Sequence, residues 1–131
     1  SGRRWSKTML DALKCYLESW GYPDIYVDTV PAPGEQRDMI ALLEWDHTVG
    51  EVNDGTGTHY IQVQVRREAY ADARALCEEL FRLLDSGPEE TLIDLTPEEF
   101  CIARPVKGPL KLESGDAYTT FYWELALWGR N

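Results

Sequence analysis

With 131 residues, 44% of them apolar and 11% aromatic, the chain has the length of one ordinary domain and too much apolar surface to stay disordered. Its net charge of −10, from 13 basic and 23 acidic residues, excludes the basic surplus with which nucleic-acid binders neutralise phosphates. No apolar run approaches the ~20 residues of a membrane helix, so a spanning helix is excluded too.

The first element is a helix from about Ser6 to Trp20. Trp5, Met9, Leu10, Leu13, Tyr16, Leu17 and Trp20 recur at spacings of three and four and make one apolar stripe. Ser6 is placed to cap its start, with Trp5 and Leu10 as a hydrophobic staple, and Gly21 and Pro23 supply the stop. A short strand follows at Ile25–Val30. The next, Asp38–Asp46, is nearly all apolar through Met39–Leu43, which predicts a strand covered on both faces. Thr48 to Thr58, with Gly50, Gly55, Gly57, Asn53 and Asp54, reads as a flexible hairpin loop.

Tyr60–Arg67 alternates, with Ile61, Val63 and Val65 on one face and Gln62, Gln64 and Arg66 on the other. The second helix spans about Glu68–Asp85, with Ala69, Ala73, Leu76, Cys77, Leu80, Leu83 and Leu84 on one face. Small residues at its start suit close approach to a sheet, and an exposed Glu78–Arg82 pair is expected. Thr96-Pro97-Glu98-Glu99 reads as a capped helical turn before a weaker strand at Phe100–Pro105. Pro105 to Asp116 reads as an open segment, and Tyr118–Trp128 as a long final strand. These elements predict a single α+β domain over 1–131, with a mainly antiparallel sheet of four to five strands and two helices packed on one face.

Chemistry-bearing motifs are sparse. Cys15, Cys77 and Cys101 form no CxxC and lie apart from histidines, so buried free thiols are expected rather than a zinc site. His47 and His59 flank the flexible loop, and Asp46 and Glu44 are near, which leaves a metal or acid–base pair open. The chain contains no G-x-S-x-G, H-E-x-x-H or G-x-x-x-x-G-K pattern. No catalytic, metal or cofactor set is therefore expected.

The final strand carries aromatics on both sides: Tyr118, Tyr122 and Trp128 share one face, Phe121 and Trp123 the other. With the helices assigned to one face, the opposite face must be covered by the 105–116 segment or buried against another subunit. Charge is also uneven. Residues 1–20 sum to +2, whereas residues 21–60 hold eight acids against Arg37 alone, a sum of −7.

Tyr60-Ile-Gln-Val-Gln-Val-Arg66, running directly into the helix from Arg67 to Leu84, resembles the minor capsid or tail-completion proteins of long-tailed bacteriophages, of the tail-terminator type. Pro31-Ala-Pro-Gly-Glu-Gln-Arg-Asp-Met-Ile-Ala-Leu-Leu43 before it, and Ala103–Leu110 with Tyr118–Leu127 after it, fit the same pattern. Where that pattern often has paired glycines after the second strand, this chain has Trp45-Asp46-His47. The resemblance covers roughly residues 5–128 and implies structural work without enzymatic chemistry. It implies a virion protein, made in the bacterial host cytoplasm, that forms a homo-oligomeric ring of six at the head-proximal end of the tail. Its partners would be the tail tube protein and the head–tail connector, with no membrane partner, and DNA would pass an acidic lumen without being bound specifically.

A ring repeats one head-to-tail contact, so each subunit needs two different complementary patches. The basic first segment and the acidic 21–60 segment are candidates. The interface residues selected on this reading are Asp46, His47, Glu51, Asp54, Arg66, Arg67, Tyr122 and Trp128. The 47–58 loop is expected to touch the tube or a neighbouring subunit, so deleting Glu51–Thr58 should spare the fold and block tail maturation. Two other classes stay open. One is an acidic antidote or immunity-type protein steered to a basic partner, and the other is a small enzyme or ligand-binding domain using His47 and His59.

Overall fold

The computed structural model describes residues 9–49, 56–96 and 99–130. Two helices, α1 (Met9–Ser19) and α2 (Tyr70–Leu83), accompany six strands: β1 (Ile25–Val27), β2 (Met39–Val49), β3 (Thr56–Arg67), β4 (Ile93–Thr96), β5 (Glu99–Gly115) and β6 (Tyr118–Arg130). They form one sheet in the order β1-β2-β3-β6-β5-β4. The class is α+β, as expected. The strand count and pairing differ from expectation, because β1 runs parallel to β2 while the other pairs are antiparallel.

Alternation divides the sheet into two faces. Ile40 and Leu42 of β2, Ile61, Val63 and Val65 of β3, and Phe121, Trp123, Leu125 and Leu127 of β6 point inward and are buried. Leu10, Leu13 and Leu17 of α1 and Ala73, Cys77 and Leu80 of α2 complete that core. Ala73 lets α2 lie close on β3 and β6, and the rings of Phe81 and Trp123 meet edge to face at 5.2 Å. The other helix, α1, touches β1 at one end of the strand order and β4 at the other. The sheet therefore curls, with both helices in its concave side. Gly129 allows a close approach: a Cβ there would stand 2.8 Å from Met9 Cε and 3.0 Å from the Phe100 carbonyl.

Adjacent parallel strands cannot be joined by a tight hairpin, so the chain from β1 to β2 must cross a face of the sheet. Residues 28–38 make that crossing on the outer, convex face. Arg66 points outward from β3, is 1% exposed, and donates to the carbonyls of Pro31 (2.5 Å), Gln36 (2.8 Å) and Arg37 (2.9 Å). Its guanidinium also lies 5.7 Å from the Tyr118 ring centre. Met39 and Ala41, the outward residues at the start of β2, are fully buried. The cover expected from 105–116 or from another subunit is thus supplied, over half the face, by the 28–38 strap.

Several expectations are corrected. Residues 105–115 belong to β5, whose pairing with β6 is interrupted at three places. Past Ala103 this strand is an edge among the described residues, and an edge tolerates Pro105 and Pro109 because no neighbour needs their missing N–H. Thr96 and Glu99, expected in a capped helical turn, pair as the ends of β4 and β5, and Pro97 and Glu98 between them lie outside the described residues. The 47–58 loop is shorter than expected, because Thr48 pairs with Thr58 and Val49 with Gly57. Glu51, Asp54 and the proposed Ser6 cap and Trp5 staple lie outside the described residues. Cys77 and Cys101 are buried free thiols, each pushed up to about 12 by burial, but Cys15 is exposed. The exposed helix pair is Arg74–Glu78 at 3.1 Å, in place of Glu78–Arg82.

Candidate functional site

Among the described residues nothing covers the half of the outer face beyond the strap. A β-bulge between Glu44 and Asp46 inserts Trp45 as an extra residue and turns it out beside Tyr60, ring centres 5.3 Å apart. Trp45 is 54% exposed and Trp128 41% exposed. Along the sheet, Thr58, Trp128 and Ile102 form one cross-strand row, and Tyr60, Ala126 and Arg104 the next. These two rows enclose a groove of about 470 Å³ lined by Thr58, Ile102, Arg104, Ala126, Trp128 and Glu90.

The groove has a built rim. Ser86 accepts and donates at Ala103: its N–H reaches the Ala103 carbonyl, and its hydroxyl accepts from the Ala103 N–H, each at 2.8 Å. That double contact holds the turn after α2 against β5 and brings the Glu90 carboxylate onto the Arg104 guanidinium. The rim pair is exposed on both sides, so it contributes little stability and serves to orient the two groups. Burying the exposed parts of Trp45 and Trp128, ~100 Å² each, would favour association by roughly 2–3 kcal/mol apiece.

The selected residues divide. Asp46 pairs with Tyr60 and His47 with His59 in the backbone register, so these positions adjoin the row holding Trp128. Tyr122 shares the outer face with Trp128, and the Lys107 ammonium sits 5.3 Å from its ring centre. Hydrogen bonding to Tyr122 holds that ammonium above its usual range. Arg66, selected as an interface residue, is buried under the strap and donates to three carbonyls of its own chain. Arg67, half-buried, donates to the Arg66 carbonyl at 2.9 Å.

The acid–base grouping divides as well. His59 points inward and is 5% exposed, and its Nδ1 shares a 2.6 Å hydrogen bond with Glu44. Asp46 lies on the other side of the bulge, opposite outward-facing Tyr60. Among the described residues no group of three His, Cys, Asp or Glu side chains is placed to hold a metal ion.

Sequence reasoning missed Trp45, Ile102, Arg104, Ser86 and Glu90 as one surface. Trp45 was hidden by a bulge that periodicity does not reveal, and the Ser86–Ala103 contact joins residues with no sequence signature. No protein-family model matches the chain, and no curated protein matches it.

Proposed function

We propose that this chain is a structural ring subunit of a long-tailed bacteriophage, a tail terminator at the head-proximal end of the tail tube. The observation that carries the reading is the open aromatic half-face, where Trp45 and Trp128 are exposed beside half-buried Tyr60 and Ile102 and nothing among the described residues covers them. Solvent-exposed apolar grooves of this kind mark protein contacts. The paired ends of β2 and β3, Val49 and Gly57, adjoin that surface, and the segment joining them is read as a second point of contact with tube or neighbour. A net charge of −10 per subunit suits a lumen that DNA traverses without adhering.

Two measurements test it. The absolute mass in solution, by light scattering behind size exclusion, is expected to show a species of about six chains that also binds purified tail tubes. In phage, deleting Glu51–Gly55, which spares the paired Thr56–Thr58, is expected to leave a folded protein and block tail maturation. Infectious particles of normal length from that deletion would sink the role assigned to the turn. A chain that neither assembles nor binds tubes would sink the ring itself.

A further inference from the structure

The sheet has two edges of opposite charge. Residues 103–112, along the outer edge of β5, hold Arg104, Lys107 and Lys111 and no acid. Residues 15–36, which include the β1 edge, hold Glu18, Asp24, Asp28 and Glu35 and no Lys or Arg. A ten-residue basic run stands out in a chain of net −10. Both edges also expose apolar side chains: Val106, Leu110 and Leu112 on β5, Val30 just past β1.

We propose that these edges meet between copies, the β5 arm from Lys107 to Leu112 of one chain packing on the Asp24–Val30 rim of the next. This inference rests on the ring reading and names its junction. Three physical arguments carry it. The charges are complementary, Lys107 and Lys111 on the arm against Asp24 and Asp28 on the rim. The two patches lie on opposite edges of one sheet, so each copy offers one of each, which a head-to-tail ring requires. Pro105, Pro109 and the bulges deny this edge a regular ladder, so the contact forms through side chains and does not run on into an open-ended sheet.

Asp24 and Asp28 have φ of 59° and 62°, a left-handed conformation that asparagine also accepts. The test therefore uses D24N/D28N and K107E/K111E, each measured alone and then mixed. Alone, each variant is expected to associate at least about tenfold more weakly than the wild type, a change of about 1.4 kcal/mol. Mixed one to one, they are expected to form a dimer and nothing larger, because one intact rim meets one intact arm and no further junction exists. That recovery also shows that both variants are folded. Variants that keep the wild-type mass overturn the edge junction while leaving the ring intact. A wild type monomeric at every concentration overturns the junction, and the ring reading is then judged by binding to added tail tubes.

Discussion

The outer face of the sheet has two halves built to the same alternating pattern and finished differently. Over Met39, Ala41 and Arg66 the chain lays its own 28–38 strap, and these side chains are almost wholly buried. Over Trp45, Tyr60, Ile102 and Trp128 it lays nothing among the described residues, and a groove remains. The covered half needs the strap because β1 must reach a parallel neighbour. The open half is reached by hairpins, whose turns stay at the ends of the strands. The contrast shows that apolar residues on a second sheet face do not by themselves mark an interface; the path of the connection decides which half is left for a partner.

Removing the clamp on the strap gives the largest expected effect. Arg66→Met should leave three carbonyls without their donor and cost about 3–4 kcal/mol, read from urea unfolding. Hydrogen exchange at 31–37 should accelerate in the same variant. A loss below about 1 kcal/mol would show that the strap holds without its arginine. On the open half the effect is reversed in kind. Trp45→Ser with Trp128→Ser should change stability by no more than about 1 kcal/mol, yet abolish binding to purified tail tubes measured by co-sedimentation. Equal losses of stability from the two halves would erase the distinction between them.

The smallest effect lies in the helix layer, away from both halves. The Tyr22 hydroxyl donates to the Glu79 carboxylate, and burial, followed by that acid, pushes the phenol up to about 12. A raised folded value favours the neutral phenol, so its contribution is complete below pH 10 and is lost as pH rises from 10 towards 12. Wild type should melt higher than Tyr22→Phe at neutral pH, and the gap should shrink through that window. A gap that widens with alkali would overturn the assignment.

Much of the framework was readable in the sequence because it rests on local periodicity. Both helices and the inward rows Ile61, Val63, Val65 and Phe121, Trp123 fall where spacings of three to four and of two place them. Tyr122 and Trp128 fall on the opposite side of β6, as alternation requires. Two kinds of feature escaped. Edge context escaped: Pro105, Gly108 and Pro109 look like a loop in isolation and are tolerated in β5 because, past Ala103, no described residue pairs with its outer side. The four-residue β4 is too short to show a period, and the Thr96-Pro-Glu-Glu run beside it imitates a helix cap. Long-range covering escaped too. Arg66 alternates like an exposed residue, and nothing nearby announces that a strap arriving from thirty residues upstream will bury it.

The position of α1 has a consequence for how the chain reaches this state. The helix is made well before β4, one of the strands it rests on, which begins only at Ile93. During synthesis its apolar stripe of Leu10, Leu13 and Leu17 must wait while most of the domain is translated. Closure joins contacts separated by some eighty residues, a topology that favours slow folding because the loop entropy is lost before the contact is gained. The last step to complete would therefore be the docking of an early-made helix, and a nascent chain arrested before β4 should hold that helix only partly docked and prone to chaperone capture.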